Sequence, residues 1–293
     1  MANIVQIFSQ FKKCLNNLNY MDNFEIKWYK SIDSTNLEAY RKKNESPEIS
    51  VYASELQLKG RGQRGSRWES EECQNLTFSI LFKPLSVSSI EHFVFSQIAT
   101  IGVVNYLASK KIKAKIKWPN DIYVENKKIC GILIENTLSS DRLTASIVGI
   151  GLNLNQTKFS ANIPNPTSLI LELNKSHSLA NHLNLDIKKE LDILLSYIIP
   201  LYEKYISDKN ADELDGIYQE YLYRLNEISE FIETTSCANP IYPIFTNNNV
   251  KDENQAIIKA KIIGVDNKTA RLKLQLLSGE IKSYAFKEIR YVI

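Results

Sequence analysis

The residues in this chain best suited to chemistry begin with Gly60-Arg61-Gly62-Gln63-Arg64-Gly65, followed by Ser66, Arg67 and Trp68. Glycines allow a backbone to approach a ligand closely, and the guanidinium forks of Arg61, Arg64 and Arg67 suit carboxylate or phosphate oxygens. The string matches the G-x-G-x-x-G of dinucleotide-binding folds. That fingerprint also needs a helix opening at the loop, so that its N-terminus faces the pyrophosphate, and an acidic residue about 20 positions on. Here the chain runs through Ser66-Arg67-Trp68-Glu69-Ser70 into a strand-like stretch, and the helix start is missing. A kinase glycine loop is excluded because no V-A-I-K strand or D-F-G follows. Taken alone, the loop fits a solvated basic turn as well as it fits an anion site.

Other chemistries find less support. Cys14, Cys73, Cys130 and Cys237 lie far apart without a C-x-x-C pair, which argues against a zinc knuckle or dithiol site and for reduced thiols in a cytoplasmic protein. His92, His177 and His182 lack metal-ligand spacing. A formal net charge of +3 is far from the basic excess of a dedicated nucleic-acid binder. No apolar run approaches the roughly 18 to 20 residues of a membrane span.

The elements that must hold the loop are short and mixed. Strands are expected at 24–29, 50–56, 76–82, 113–118, 121–125, 129–136 and 144–154. Ser34 or Thr35 caps a helix running to Tyr40, and a second helix covers about 89–109, with Phe93, Ile98, Ile101 and Val104 on its apolar side. Strands outnumber helices, so the expectation is an α+β layer fold and not a doubly wound sheet. Beyond Pro164 and Pro166 the pattern turns helical, with Ile187, Leu191, Leu194, Leu195 and Ile198 at threes and fours, and Pro200 is expected to kink or end that helix. A further helix is expected over 212–225. After an irregular stretch at 235–255, strands at 256–265, 269–277 and 280–284 read as a small β-barrel, with turns at Asp266-Asn267 and Ser278-Gly279. The expected organisation is an N-terminal extension at 1–22, a main domain at 23–235 and a small domain at 240–293. The extension reads as a short amphipathic helix or leader, with Met21 a candidate natural start.

Five segments, taken in order, carry a family resemblance. They are Ser31 to Asn36, Gly60 to Trp68, Lys117-Trp118-Pro119-Asn120-Asp121, the K-x-x-G-x-L-x-E string from Lys128 to Glu135, and Gly149-Ile150-Gly151-Leu152-Asn153-Leu154-Asn155. Together they resemble biotin protein ligases, strongly over residues 24 to about 155 and more loosely beyond. The resemblance implies a mixed sheet with helices, related to class II aminoacyl-tRNA synthetases, plus an SH3-like C-terminal barrel. Some members of that family carry a DNA-binding repressor domain ahead of the ligase, which needs far more residues than precede Phe24; the expectation is a ligase without one.

The implied reaction has two steps. Biotin's carboxylate attacks the α-phosphorus of ATP, and a lysine of a biotin carboxyl carrier domain of a carboxylase then attacks the acyl carbon. Two unit charges about 4 Å apart at an effective dielectric near 20 repel by roughly 4 kcal/mol, so cations must sit where the anions meet. By resemblance Lys128 bridges the two anions, with Arg61 and Asp121 completing the catalytic set. Asp121 would orient Lys128, Mg²⁺ or the acceptor lysine, and Asn120 would contact ATP or the metal. Ser34, Thr35, Gln57 and the Arg61 to Gln63 backbone would receive biotin, whose neutral ureido ring needs fixed donors and acceptors, and Asn36 and Gly60 belong to the same implied binding set. Trp68 is the implied stacking surface for adenine. Asn153 would bond the base, with Gly149 and Gly151 permitting close approach. Lys117, Arg64 and Gly131 complete the implied binding set, while Trp118 reads as core packing. Gln63 stands where many relatives carry arginine, so the loop has one charge fewer to hold an adenylate. The rival readings are a lipoate-type ligase, whose R-R-x-S-G-G-G loop is absent, and an inactive binding module. Monomer and homodimer are both compatible with the sequence.

Overall fold

The computed structural model describes residues 24–84, 87–176, 184–234 and 256–293. The expected extension at 1–22, the Met21 start, the irregular stretch at 235–255, His177 and His182 lie outside them.

Seven strands form the larger sheet: β1 (Glu25–Ile32), β2 (Ile49–Gln57), β3 (Asn75–Phe82), β4 (Ala114–Lys117), β5 (Asp121–Val124), β6 (Lys127–Ser139) and β7 (Arg142–Asn153). Their spatial order is β1-β2-β3-β7-β6-β5-β4. Only the β1–β2 pair is parallel, so the sheet is mixed, as expected. Side chains alternate between its two faces. Phe78, Ile80, Phe82, Ile122, Ile132 and Ile150 point to one face and form the main core with α2 (Val94–Ser109) and α4 (Ile187–Asp208). On the other face α1 (Thr35–Lys42) lays Ala39 over Tyr52, Leu81 and Ile147. Two further helices, α3 (Leu169–Ser176) and α5 (Ala211–Glu220), complete the larger layer. No helix among the described residues is long and apolar enough to cross a membrane.

The structure departs from the expected helices in three places. Residues 89–109 do not form one helix: Ser89–Glu91 is a separate 3₁₀ turn, its Ser89 N–H bonded to Asp141 O at 2.8 Å and its Glu91 carboxylate accepting from Ser88 N–H at 3.1 Å. Pro200 does not end α4. Ile198, Ile199, Leu201 and Tyr202 around it are buried, and that packing outweighs the roughly 3 kcal/mol an internal proline costs. The helix expected to run to 225 stops at Glu220, because the backbone at 221–223 turns to pair with Ile116 of β4, and Arg224 and Asn226 then adopt positive φ.

A second, antiparallel sheet has the order β11-β10-β9-β8-β12, with β8 (Ile228–Glu233), β9 (Ala256–Val265), β10 (Leu272–Leu276), β11 (Ile281–Tyr284) and β12 (Ile289–Tyr291). This five-stranded sheet is consistent with an SH3-like domain. Its first strand lies upstream of residue 235; the alternating burial of Ile228–Glu233 puts Ser229 and Phe231 into the small sheet's interior.

Candidate active site

The site is built on one rung of the larger sheet. Residues directly opposite in antiparallel strands point to the same face. The pairings Ser54–Thr77, Thr77–Gly151, Gly151–Gly131, Gly131–Asp121 and Asp121–Lys117 therefore run across six strands on the α1 side. The next rung repeats the pattern with Tyr52, Ser79, Gly149 and Leu133. At the centre of this face the side chains are absent or small, and a cavity of about 240 Å³ opens there.

A β-bulge delivers Lys128. Ile122 pairs with Cys130, but Tyr123 pairs with Lys128, leaving Ile129 as the extra residue. In regular register Lys128 would fall on the opposite, core-facing side; the bulge returns it to the face of Asp121. Lys128 Nζ lies 2.7 Å from Asp121 Oδ1, and both side chains keep partial exposure, 29% and 27%. The Lys128 backbone is held on both sides, its N–H donating to Asn165 O at 2.7 Å and its C=O accepting from Thr167 N–H at 2.9 Å.

The five-residue string from Lys117 to Asp121 is the tip of the β4–β5 hairpin. The Trp118–Pro119 peptide is cis. Pro119 O accepts from the hydroxyls of Tyr218 at 3.0 Å and Ser96 at 3.3 Å, and the buried Asn120 amide donates to Ile132 O. Trp118 is 4% exposed, and its indole N–H donates to Ala270 O of the small sheet at 2.9 Å. It both packs the core and borders the cavity. Lys117 Nζ stands 5.0 Å from the ring centres of Tyr123 and of Tyr291, and burial lowers its pKa below the ordinary lysine value.

The arginine-bearing loop covers the cavity as a small hairpin closed on itself: Gly62 N–H donates to Ser66 O at 2.7 Å and Trp68 N–H to Gly60 O at 3.1 Å. Trp68 lays its ring over the glycine floor; a Cβ on Gly151 would meet the indole at 2.3 Å. Its Nε1–H is buried without a partner, a donor available to a ligand. Arg61 Nη2 lies 2.9 Å from Glu135 Oε1.

The polar end of the cavity sits at the start of α1. Ser34 takes the N-cap position with extended backbone, yet its hydroxyl makes no cap bond. Thr35 N–H donates to Gln57 Oε1 at 2.8 Å, and the Ser79 hydroxyl is within reach of both Thr35 Oγ1 at 2.7 Å and Asn36 Oδ1 at 2.6 Å. Asn36 Oδ1 occupies the space a side chain on Gly149 would need, 2.0 Å from an ideal Cβ.

Most of the expected site residues therefore meet at one cavity. Ser34, Thr35, Asn36 and Gln57 line one end; Arg61, Gly62, Gln63 and Trp68 cover it; Lys117, Asn120, Asp121 and Lys128 bring the hairpins; Gly131, Gly149 and Gly151 supply the floor. Gly60 and Asn153 do not line it. A Cβ on Gly60 would meet Trp68 O at 2.2 Å, and the Asn153 amide donates to Thr167 O at 2.8 Å. Arg64 belongs to the single turn Gln63–Gly65, and its side chain is not described. Ser66, Phe286 and Lys287 also line the cavity and escaped the sequence reading. For Phe286 and Lys287 the sequence carried no signal, because only the packing of the small sheet brings them to the cavity. Among the described residues no cluster of three His, Cys, Asp or Glu could hold a metal. Asp121 with Asn120 fits Mg²⁺ only if a nucleotide's phosphates complete the oxygen shell.

Residues 28–153 match the biotin/lipoate A/B protein ligase family. The bifunctional ligase/repressor BirA of Bacillus spizizenii is 34% identical over 114 residues, 39% of this chain and 35% of BirA. A biotin--[acetyl-CoA-carboxylase] ligase of Paracoccus denitrificans is 31% identical over 127 residues, 42% of this chain and 51% of that enzyme. The matched regions thus span between about a third and a half of these relatives' length. Among solved structures, a biotin protein ligase from Aquifex aeolicus in complex with biotin and ATP superimposes with a TM-score of 0.68 at 25% identity, covering 92% of this chain and 99% of that one.

Proposed function

Because residues 28–153 belong to the biotin/lipoate A/B protein ligase family, we propose that the chain activates biotin with ATP and transfers it to a lysine of a biotin carboxyl carrier protein or domain. The observation that carries this reading is that Lys128 and Arg61, from separate elements, line one cavity whose far end is a neutral hydrogen-bonding pocket. The Aquifex neighbour, solved with biotin and ATP, supports the same pair of substrates.

In the first step a biotin carboxylate oxygen bonds to the α-phosphorus of ATP, and the bond to the pyrophosphate oxygen breaks. Lys128 stands between the two anions and stabilises the charge that builds as they meet. Asp121 orients the Lys128 ammonium across their 2.7 Å contact. Mg²⁺, with Asp121 and Asn120 as its protein ligands, would neutralise phosphate charge. In the second step the acceptor amine bonds to the acyl carbon, AMP leaves and the amine loses a proton. Ser34, Thr35 and Gln57 hold the ureido ring. Trp68 offers the base a ring face, while Asn153 lies outside the cavity lining with one amide N–H given to Thr167 O. The main domain over 23–235 would carry this chemistry, and the small domain at 240–293, with β8 joined to its sheet, would add Phe286 and Lys287. A cytoplasmic setting fits ATP and a carboxylase partner.

Isothermal titration with biotin, alone and then with ATP and Mg²⁺, tests the reading, with lipoate as the control. Biotin heat without lipoate heat, together with biotin-dependent ATP–pyrophosphate exchange, is the expected result. Exchange supported by lipoate and not by biotin would transfer the assignment to the lipoate branch of the family. No exchange with either would leave a binding module.

A further inference from the structure

Glu135 closes the K-x-x-G-x-L-x-E string, and the reaction described above gives it no part. Its carboxylate is divided between two sides of the cavity. Arg61 on the lid grips both oxygens, with Nη2 2.9 Å from Oε1 and Nη1 donating to Oε2 at 3.3 Å, and the same Oε2 accepts from Asn36 Nδ2 at 2.8 Å on the floor. From Asn36 the polar chain continues without a gap. Ser79 joins Asn36 Oδ1 to Thr35 Oγ1 at 2.6 and 2.7 Å, and Thr35 reaches Gln57 Oε1 through its N–H at 2.8 Å and its hydroxyl at 3.1 Å.

We propose that Glu135 is a positioning residue that ties the arginine lid to the acid-binding floor, so that one carboxylate sets both the place of Arg61 and the orientation of the Asn36 amide. Three observations support it. The lid's own backbone bonds close the hairpin on itself, Gly62 to Ser66 and Trp68 to Gly60, and do not anchor it to the sheet. The bond from Arg61 to Glu135 crosses from lid to strand β6. Asn36 is 4% exposed, its Oδ1 accepts from the Ser79 hydroxyl at 2.6 Å, and its Nδ2 meets Glu135 Oε2 at 2.8 Å against 3.4 Å for Leu133 O, so the carboxylate takes the shorter of the two donor contacts that orient the amide. Finally, Glu135 remains 35% exposed at the cavity margin, so its role is not that of a buried core charge. An ionised acceptor is needed, since an arginine fork held by a neutral amide would lose the stronger, charge-assisted bond.

The inference rests on the biotin reading for its kinetic consequence, though not for its structural one, and the test separates the two. Glu135→Gln keeps an acceptor for Asn36 and removes the charged anchor of Arg61; Glu135→Ala removes both. In ATP–pyrophosphate exchange with the full chain, Glu135→Gln is expected to raise the KM for biotin on the order of tenfold and Glu135→Ala to raise it further, with the KM for ATP within about twofold of wild type. On an Arg61→Gln background, Glu135→Gln should add almost nothing, because both substitutions break the same contact. Hydrogen exchange of the Gly62, Ser66 and Trp68 amides without ligand reads the tether directly and should accelerate several-fold in Glu135→Gln and in Arg61→Gln alike. Unchanged lid exchange, additive effects of the two substitutions, or equal damage to both KM values with a lowered melting temperature would each overturn the proposal. Faster lid exchange in a protein whose wild type shows no biotin-dependent activity would instead remove the biotin reading and leave the tether standing.

Discussion

The two faces of the seven-stranded sheet are made by alternate residues of the same strands, and they differ in almost every physical respect. On one face Phe78, Ile80, Phe82, Ile132 and Ile150 are each no more than 4% exposed, beneath α2 and α4. On the other, the same strands present Thr77, Ser79, Gly131, Gly149 and Gly151 and an ion pair where the cavity opens, and only a small apolar cluster of Tyr52, Leu81 and Ile147 beneath α1. The first face stabilises the fold by burying apolar area, at roughly 25 cal/mol per Å². The second gives up that stabilisation to leave a cavity with cations around it. Segregating the roles by strand parity lets a single sheet hold a rigid scaffold and a reactive surface a few ångströms apart, and the Ile129 bulge resets that parity to move a lysine from the first to the second.

The comparison would break if substitutions on the two faces had the same consequences. The largest effect expected is on the packed face. Phe82 stacks with Tyr202 at 4.3 Å and Phe95 at 5.6 Å between ring centres, and Phe82→Ala should cost about 3–5 kcal/mol of stability by denaturant unfolding. Activity per folded molecule should stay near wild type. Next comes Lys128→Ala on the cavity face. It should slow pyrophosphate exchange on the order of a hundredfold, about 2.7 kcal/mol of barrier, while the unfolding midpoint stays close to wild type. Near-normal exchange would remove Lys128 from the chemistry and reduce the cavity face to a passive one.

Much of this division can be read in the chain without coordinates. Alternation along 76–82 marks β3, and the clustering of glycines, Lys128 and the 117–121 string marks the segments that meet at the cavity. The bulge was hidden, because no single residue announces that Ile129 is unpaired. Neither was the fate of Asn153 legible: its type suits a base, yet Thr167 O takes its amide. Gly149 and Gly151 show a related limit. Their type signals close approach, but it is Asn36 and Trp68 of the protein itself that approach. Phe286 and Lys287 lie more than 130 residues beyond Gly151 in sequence and reach the cavity through tertiary packing alone. At Pro200 the expected helix end yields for the opposite reason, since apolar neighbours on both sides carry the helix through.

The smallest expected effect tests whether the cavity face in fact lowers stability. Lys117 is the last residue of the Ser54–Lys117 rung, and burial lowers its pKa from the ordinary 10.5, with Asp121 opposing and Lys128 and Arg224 assisting. The two tyrosine rings beside its ammonium return part of the lost solvation. A lysine whose folded pKa is depressed binds its proton more tightly when unfolded, so unfolding free energy rises with pH between the folded pKa and 10.5. The full cost is present below the folded pKa and vanishes above 10.5. Lys117→Met carries no such charge. The stability of wild type relative to Lys117→Met should therefore improve as pH is raised toward 10.5, with a slope that for one proton cannot exceed about 1.4 kcal/mol per pH unit. Denaturant unfolding of the two proteins across that interval measures it directly. Parallel curves would mean that Lys117 is solvated like a surface lysine and that this end of the reactive face costs the fold nothing; converging curves would put the cost of the site on a named side chain.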